Sequence, residues 1–218
     1  MNKALTLSTC LFTLLLCGCS IFGSKEAQKS FLQQKKVYIP HVGVPDRLCK
    51  KPLFAPVKLR MFHALPPWNE HGFVIRRGGG EYALDAYHGW VAQPADLVAV
   101  ETGRYLEKAG LFKVVHPSES GSVPSLGLEG FLTEWVLDYS NPRKPVASVG
   151  LRLIVLDEES PNFTALFSVE KGARVPLSEL SEGGGIQAFS EALGETLSQL
   201  CEALKRAPLP GERETPRQ

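Results

Sequence analysis

Residues 82–115 read YALDAYHGWVAQPADLVAVETGRYLEKAGLFKVV, and their periodicity predicts a strand, a helix and a second strand. Pro94 suits the first helical turn, where its missing N–H leaves no bond unmade, and Asp96 places a negative charge at the positive end of the helix dipole. Gly110 follows Ala109 as a stop signal. Between them Ala95, Val98, Ala99, Thr102, Tyr105, Leu106 and Ala109 recur at steps of three and four and make one apolar stripe. Such a helix needs a sheet to lie on.

The flanking sequence supplies one. Val37–Ile39 starts a short strand stopped by Pro40, and residues 41–56 carry three prolines, as an irregular crossover does. Val57, Leu59 and Met61 alternate with Lys58 and Arg60, which marks a half-buried strand. Leu65-Pro66-Pro67-Trp68 is a turn, followed by a strand over 73–77 and a hairpin through Gly78–Gly80 into Tyr82. Downstream, the apolar stripe Leu126, Leu128 changes parity before Trp135, Leu137 and Tyr139, which predicts a bulge around Gly130. Ala147 to Val155 and Phe163 to Val169 alternate cleanly. A closing helix over 186–205 lines Phe189, Leu193, Leu197, Leu200 and Leu204 on one side. The expected fold class is α/β (α+β): one two-layer domain, a mixed β-sheet with two main helices packed on one face. The strand–helix–strand unit is expected to form a right-handed parallel crossover.

At the N-terminus, Lys3 precedes an apolar run from Ala4 to Leu16 that is too short to span a bilayer and reads as a secretory signal. It ends in Leu16-Cys17-Gly18-Cys19, the order of a bacterial lipobox: an aliphatic residue, two small ones, then the cysteine that receives lipid, palmitate included. Residues 1–18 are therefore the signal peptide, 19–36 the lipidated Cys19 and a flexible tether, 37–206 the domain, and 207–218 a disordered tail. Ser20 after the cysteine favours the outer membrane, facing the periplasm.

Removal of 18 residues leaves 200, and the loss of Lys3 balances the side chains at 23 basic and 23 acidic. That balance excludes the basic stripe of a nucleic-acid binder and leaves the membrane contact to the acyl chains. Of five cysteines, Cys19, Cys49 and Cys201 survive processing. In an oxidising compartment Cys49 and Cys201 either form a disulfide or remain two buried thiols. The five histidines show no close ligand spacing, and no nucleophile elbow or Walker motif occurs, so no catalytic residue, metal or cofactor beyond the covalent lipid is expected. Glu134 and Asp138 share a strand face, but roughly 13 Å of strand separates them, which suits two solvated carboxylates rather than an acid/base pair. Trp68, beside two prolines in a turn, is a candidate partner anchor. Opposite the buried stripe of the first helix, Leu97 and Val100 stand among Asp96, Glu101, Arg104 and Glu107, which makes Leu97, Val100 and Arg104 candidate partner-binding residues.

The pattern WxxxPAxLV…YLxxxGxFxxV over Trp90–Val115 resembles the ABC-type transport auxiliary lipoproteins, the PqiC-like group. Tyr38, the Leu65–Trp68 turn with Phe73–Arg76, and Trp90 fall at matching positions, and the likeness runs from Tyr38 to Leu204. Pro40 ends the first strand earlier than in that family, and Gly78–Gly80 loosens the hairpin. The resemblance implies an outer-membrane lipoprotein that serves an MCE-domain protein and its ABC transporter in lipid transport between membranes, as an accessory or docking component. A homo-oligomer is compatible with that role. Two other roles fit a lipoprotein of this size: a carrier of a hydrophobic ligand, which needs an interior cavity, and a part of a secretion or pilus machine.

Overall fold

The structure, a computed structural model, describes residues 35–43, 45, 47–179 and 182–209. The signal peptide, Cys19, the tether up to residue 34 and the tail from residue 210 lie outside the described residues.

From Lys36 onward the chain forms a single α+β domain, a mixed open sheet of eight strands with two helices packed on it. The strands are β1 (Lys36–Tyr38), β2 (Val57–Ala64), β3 (Gly72–Arg76), β4 (Tyr82–Trp90), β5 (Val115–His116), β6 (Leu126–Asp138), β7 (Val146–Asp157) and β8 (Ala165–Pro176). The helices are α1 (Pro94–Ala109) and α2 (Glu182–Lys205). Thirteen-residue β6 is the spine. Along one edge it pairs antiparallel with β7, which pairs with β8. Along the other edge it pairs in parallel first with β2, then with β3. Beyond these lie β5 on β2, and β4 with β1 on β3.

That arrangement corrects the expected crossover. β4 runs against β3, while β3, β6, β2 and β5 are mutually parallel, so the strands joined by α1 are antiparallel and three strands apart. Because β6 is long enough for β2 and β3 to share one edge, α1 follows β2 (a Cβ on Gly103 would come within 2.7 Å of the Leu59 side chain) and then hands the chain to β5. The bulge also moves. Register shifts on β6 between Leu132 and Glu134, where Thr133 is the extra residue, and this restores Trp135 and Leu137 to the face of Leu126 and Leu128. Gly130 serves a different purpose, since a Cβ there would come within 2.3 Å of the Phe62 ring. Phe163, expected inside the last strand, instead sits in the turn before it with φ of 49°.

The core lies between sheet and helices. Alternation on β7 sends Ala147, Val149, Leu151, Leu153 and Val155 to the helix side, all essentially inaccessible. Trp90, Trp135 and Phe189 meet there with centroids 4.7–5.1 Å apart, and Phe73 closes on Trp90 at 4.6 Å. Burial of each such ring contributes about 2–3 kcal/mol, and tilted and T-shaped contacts between them add to it. Trp90 is thus a core residue. α1 stops where the sequence predicts: Gly110 takes the left-handed conformation (φ 70°) and its N–H bonds to Leu106 O. The carbonyl of Ala109, left free by the helix end, accepts the N–H groups of Leu48 and Cys49 from the crossover. α2 begins earlier than the apolar stripe suggests, at Glu182 instead of 186. Ala207 and Leu209, expected to open the tail, are buried against the core.

Candidate functional site

On the face of the sheet away from the helices, ladder register places three rows of side chains across β6, β7 and β8. One row is Phe131–Arg152–Glu170, the next Glu134–Gly150–Gly172, and the third Val136–Ser148–Arg174. The middle row is a trough: it has two adjacent glycines, so Glu134 is the one side chain it carries. Close approach enforces both glycines. A Cβ on Gly150 would stand 2.6 Å from Thr133 Oγ1, and one on Gly172 would stand 2.8 Å from the Val149 carbonyl oxygen. The bulge at Thr133 is what brings that hydroxyl over Gly150.

The walls of the trough are polar and held in place. Arg152 donates to Glu170 at 2.9 and 2.7 Å on one side. On the other, Ser148 Oγ donates to Glu134 Oε2 at 2.6 Å and accepts from Arg174 Nε at 3.3 Å. Trp68 closes one end. It follows from the Leu65–Pro67 turn, its N–H bonds to Leu65 O at 2.8 Å, and its ring meets Tyr82 edge-on at 6.0 Å. Trp68, Glu134, Ser148, Glu170 and Arg174, with the two glycines, bound an open cavity of about 480 Å³. The structure therefore brings Trp68 and Glu134, both singled out in the sequence, to a groove whose Ser148, Arg174 and paired glycines carried no sequence signal. The expected alternation ended at Val169, whereas β8 runs on to Pro176; Ala173 and Val175 are the alternation from which that continuation could have been read.

Glu134 and Asp138 are not the two solvated carboxylates expected from strand spacing. One guanidinium nitrogen of Arg76 on β3 bonds Glu134 Oε1 at 2.8 Å and Asp138 Oδ2 at 2.7 Å, so both converge on it. Partial burial opposes ionisation of Asp138, but bonds from Ser140 and Arg76 outweigh it and bring its carboxyl down to about 2. Asp85 is likewise held below the usual carboxylate range: burial works against the charge, and the His88 ring with the N–H groups of Tyr87 and His88 overcomes it. In the groove itself, the Ser148 hydroxyl lies between a carboxylate and a guanidinium, an arrangement for holding groups in place.

The other sequence-singled residues fall elsewhere. Leu97 is buried in the core, because α1 turns that side toward the sheet, whereas Val100 is 67% exposed. Val100 borders a smaller apolar hollow of about 280 Å³ with Leu59, Met61, Ala99 and Pro117. Arg104 points inward: it bonds the carbonyl of Val42 and the buried Glu101, whose Oε2 also accepts the Val42 N–H. This clasp ties residues 41–43 to α1. Cys49 and Cys201 are both buried, and the structure holds both as free thiols. Burial pushes the Cys201 thiol up to about 12, with Glu202 and Cys49 adding to the effect. No helix among the described residues is long and apolar enough to cross a membrane.

The fold has solved counterparts. It is similar to protein XCC0632 from Xanthomonas campestris, which carries the family assignment DUF330, with a TM-score of 0.65 at 19% identity over 76% of this chain and 92% of that one. It is similar to a second crystal structure, of an uncharacterized protein, with a TM-score of 0.61 at 9% identity over 78% of this chain and 99% of the other. A weaker likeness, with a TM-score of 0.38 at 13% identity over 70% of this chain and 99% of the other, is to the lipoprotein GNA1162 from Neisseria meningitidis. At these identities the likeness is one of fold. No family model matches the sequence, and no curated protein matches it.

Proposed function

We propose that this chain is a non-enzymatic lipoprotein, acylated at Cys19 and held at the outer membrane on its periplasmic side, that docks the MCE-domain protein of an ABC lipid transport system. The observation that carries this reading is the groove beside Trp68. It is open to solvent, has the glycines Gly150 and Gly172 in its floor, of which Gly172 is exposed, and counts the Trp68 ring among its lining residues. Aromatic anchors and Arg are the residue types that dominate protein–protein contacts. The groove suits a protruding segment of a partner better than a lipid tail, because its walls are charged. The interior that a carrier would need open is filled by Trp90, Trp135 and Phe189. The lipobox and the PqiC-like pattern supply the membrane and the partner class.

The test is capture from detergent-solubilised membranes with the lipidated protein as bait. An MCE-domain protein should be retained by the wild type and lost with Trp68→Ala or Arg174→Glu of unchanged melting temperature. Undiminished capture by both variants would remove the groove from the reading, and a bait that retains lipid but no protein would favour the carrier. Light scattering of the same bait reads whether it self-associates.

A further inference from the structure

The sheet has an apolar corner where the chain enters the domain. Tyr38 and Trp90 lie opposite each other in the parallel pairing of β1 and β4, and both face the core through Phe73 at 5.7 and 4.6 Å. Alternation then turns their neighbours outward. Val37 is paired with Gly89, and Ile39 and Val91 follow on, tied by the bond from Val91 N–H to Tyr38 O at 3.1 Å. Tyr87 has the same parity as Gly89. The four side chains Val37, Ile39, Tyr87 and Val91 are 47–59% exposed. Gly72, in register with Gly89, adds no side chain of its own, and a Cβ there would meet the Asp85 carbonyl oxygen at 3.0 Å.

We infer that this corner is a membrane-contact surface that seats the domain on the lipid bilayer. The argument rests on the acylation of Cys19 read above. Sixteen residues lie between Cys19 and Lys36, a reach of at most about 60 Å even fully extended. Within that leash, β1 is the first described element after Cys19, which makes the corner the part of the described domain nearest the anchor along the chain. Apolar side chains with a tyrosine among them are the composition that partitions into the interface between headgroups and acyl chains. With basic and acidic side chains balanced in the mature chain, attraction to anionic lipid does not supply the contact, and apolar burial does.

The experiment places a solvent-sensitive dye on the full acylated chain at Val37→Cys, and separately at Ile39→Cys. Native Cys49 and Cys201 are buried and do not compete for label in the folded protein. The protein is reconstituted on vesicles of phosphatidylethanolamine with phosphatidylglycerol, with and without spin-labelled acyl chains. The corner predicts blue-shifted emission that spin-labelled lipid quenches, while the same dye at Val123→Cys, on a loop that is 89% exposed, stays water-like. Adding Ile39→Asp and Val91→Asp to the Val37→Cys protein should return its emission to that of water. Water-like emission at Val37 and Ile39 in a preparation shown by mass to be acylated overturns the corner and leaves the anchor standing. A blue shift that lipid does not quench also overturns it, assigning the corner to a second copy pairing along β1. A preparation without acyl chains overturns both readings.

Discussion

Gly130 on β6 faces the ring of Phe62 on β2, and a Cβ at that position would lie 2.3–2.6 Å from three ring carbons. The ring is rigid and buried, so it cannot swing aside as the tip of a flexible chain would. Gly130→Ala should therefore destabilise the domain by about 1–3 kcal/mol, the usual cost of overpacking. Gly121→Ala, with no atom within 4 Å of its built Cβ, should leave stability unchanged. Urea midpoints of the two variants check this, and equal midpoints would refute the contact.

Asp138 titrates at about 2 in the folded chain, below its ordinary 3.8. A depressed carboxylate contributes stability that is present above the unfolded value and lost as pH falls through the folded one, here between about pH 4 and pH 2. Asp138→Asn should cost about 1 kcal/mol at neutral pH, discounted for partial solvent screening. It should also flatten the fall in melting temperature across that window. An unchanged slope would show that Arg76 and Ser140 do not hold the charge.

Arg60 grips both oxygens of Glu158 at 2.6 and 2.7 Å and lies under the Phe163 ring, 4.3 Å from its centroid. These contacts fasten the β7–β8 turn, and the positive φ of Phe163, to the open face. Arg60→Ala should raise amide exchange in residues 158–164 while β7 and β8 keep their protection. Exchange that stays slow in the turn would show that it holds itself.

Leu97 and Val100 should behave oppositely. Leu97→Ala leaves a buried space and should cost about 2–3 kcal/mol. Val100→Asp, on an exposed position, should change stability by about 0.5 kcal/mol or less. Thermal melts of the two single variants separate them.

Cys49 and Cys201, both free and buried, should resist a thiol reagent in the native mature protein and react as two thiols once denatured without reductant. Fewer than two would reveal the bridge. Cys19→Ser should abolish lipidation, and palmitate label still entering that variant would move the acylation site to Cys17.

Local chemistry carried much of this protein into its sequence. Pro94 and Gly110 bound α1 because a missing N–H and a left-handed backbone are properties of single residues. The period of two in Ala147–Val155 and the stripe of α2 gave the layers, since side-chain direction follows from strand and helix geometry alone. Three features depended on which elements meet. The exposure of Leu97 could not be judged from the stripe opposite it, because α1 buries a wider arc where it lies along β2. Glu134 and Asp138 looked separate until β3 brought Arg76 between them from some sixty residues away in the chain. The trough exists only because register sets Gly150 beside Gly172 and a one-residue bulge at Thr133 swings Trp68's neighbours into line. Register is a long-range property of paired strands, and a single inserted residue shifts every partner beyond it. That is why the sheet was legible in the sequence and the groove on its face was not.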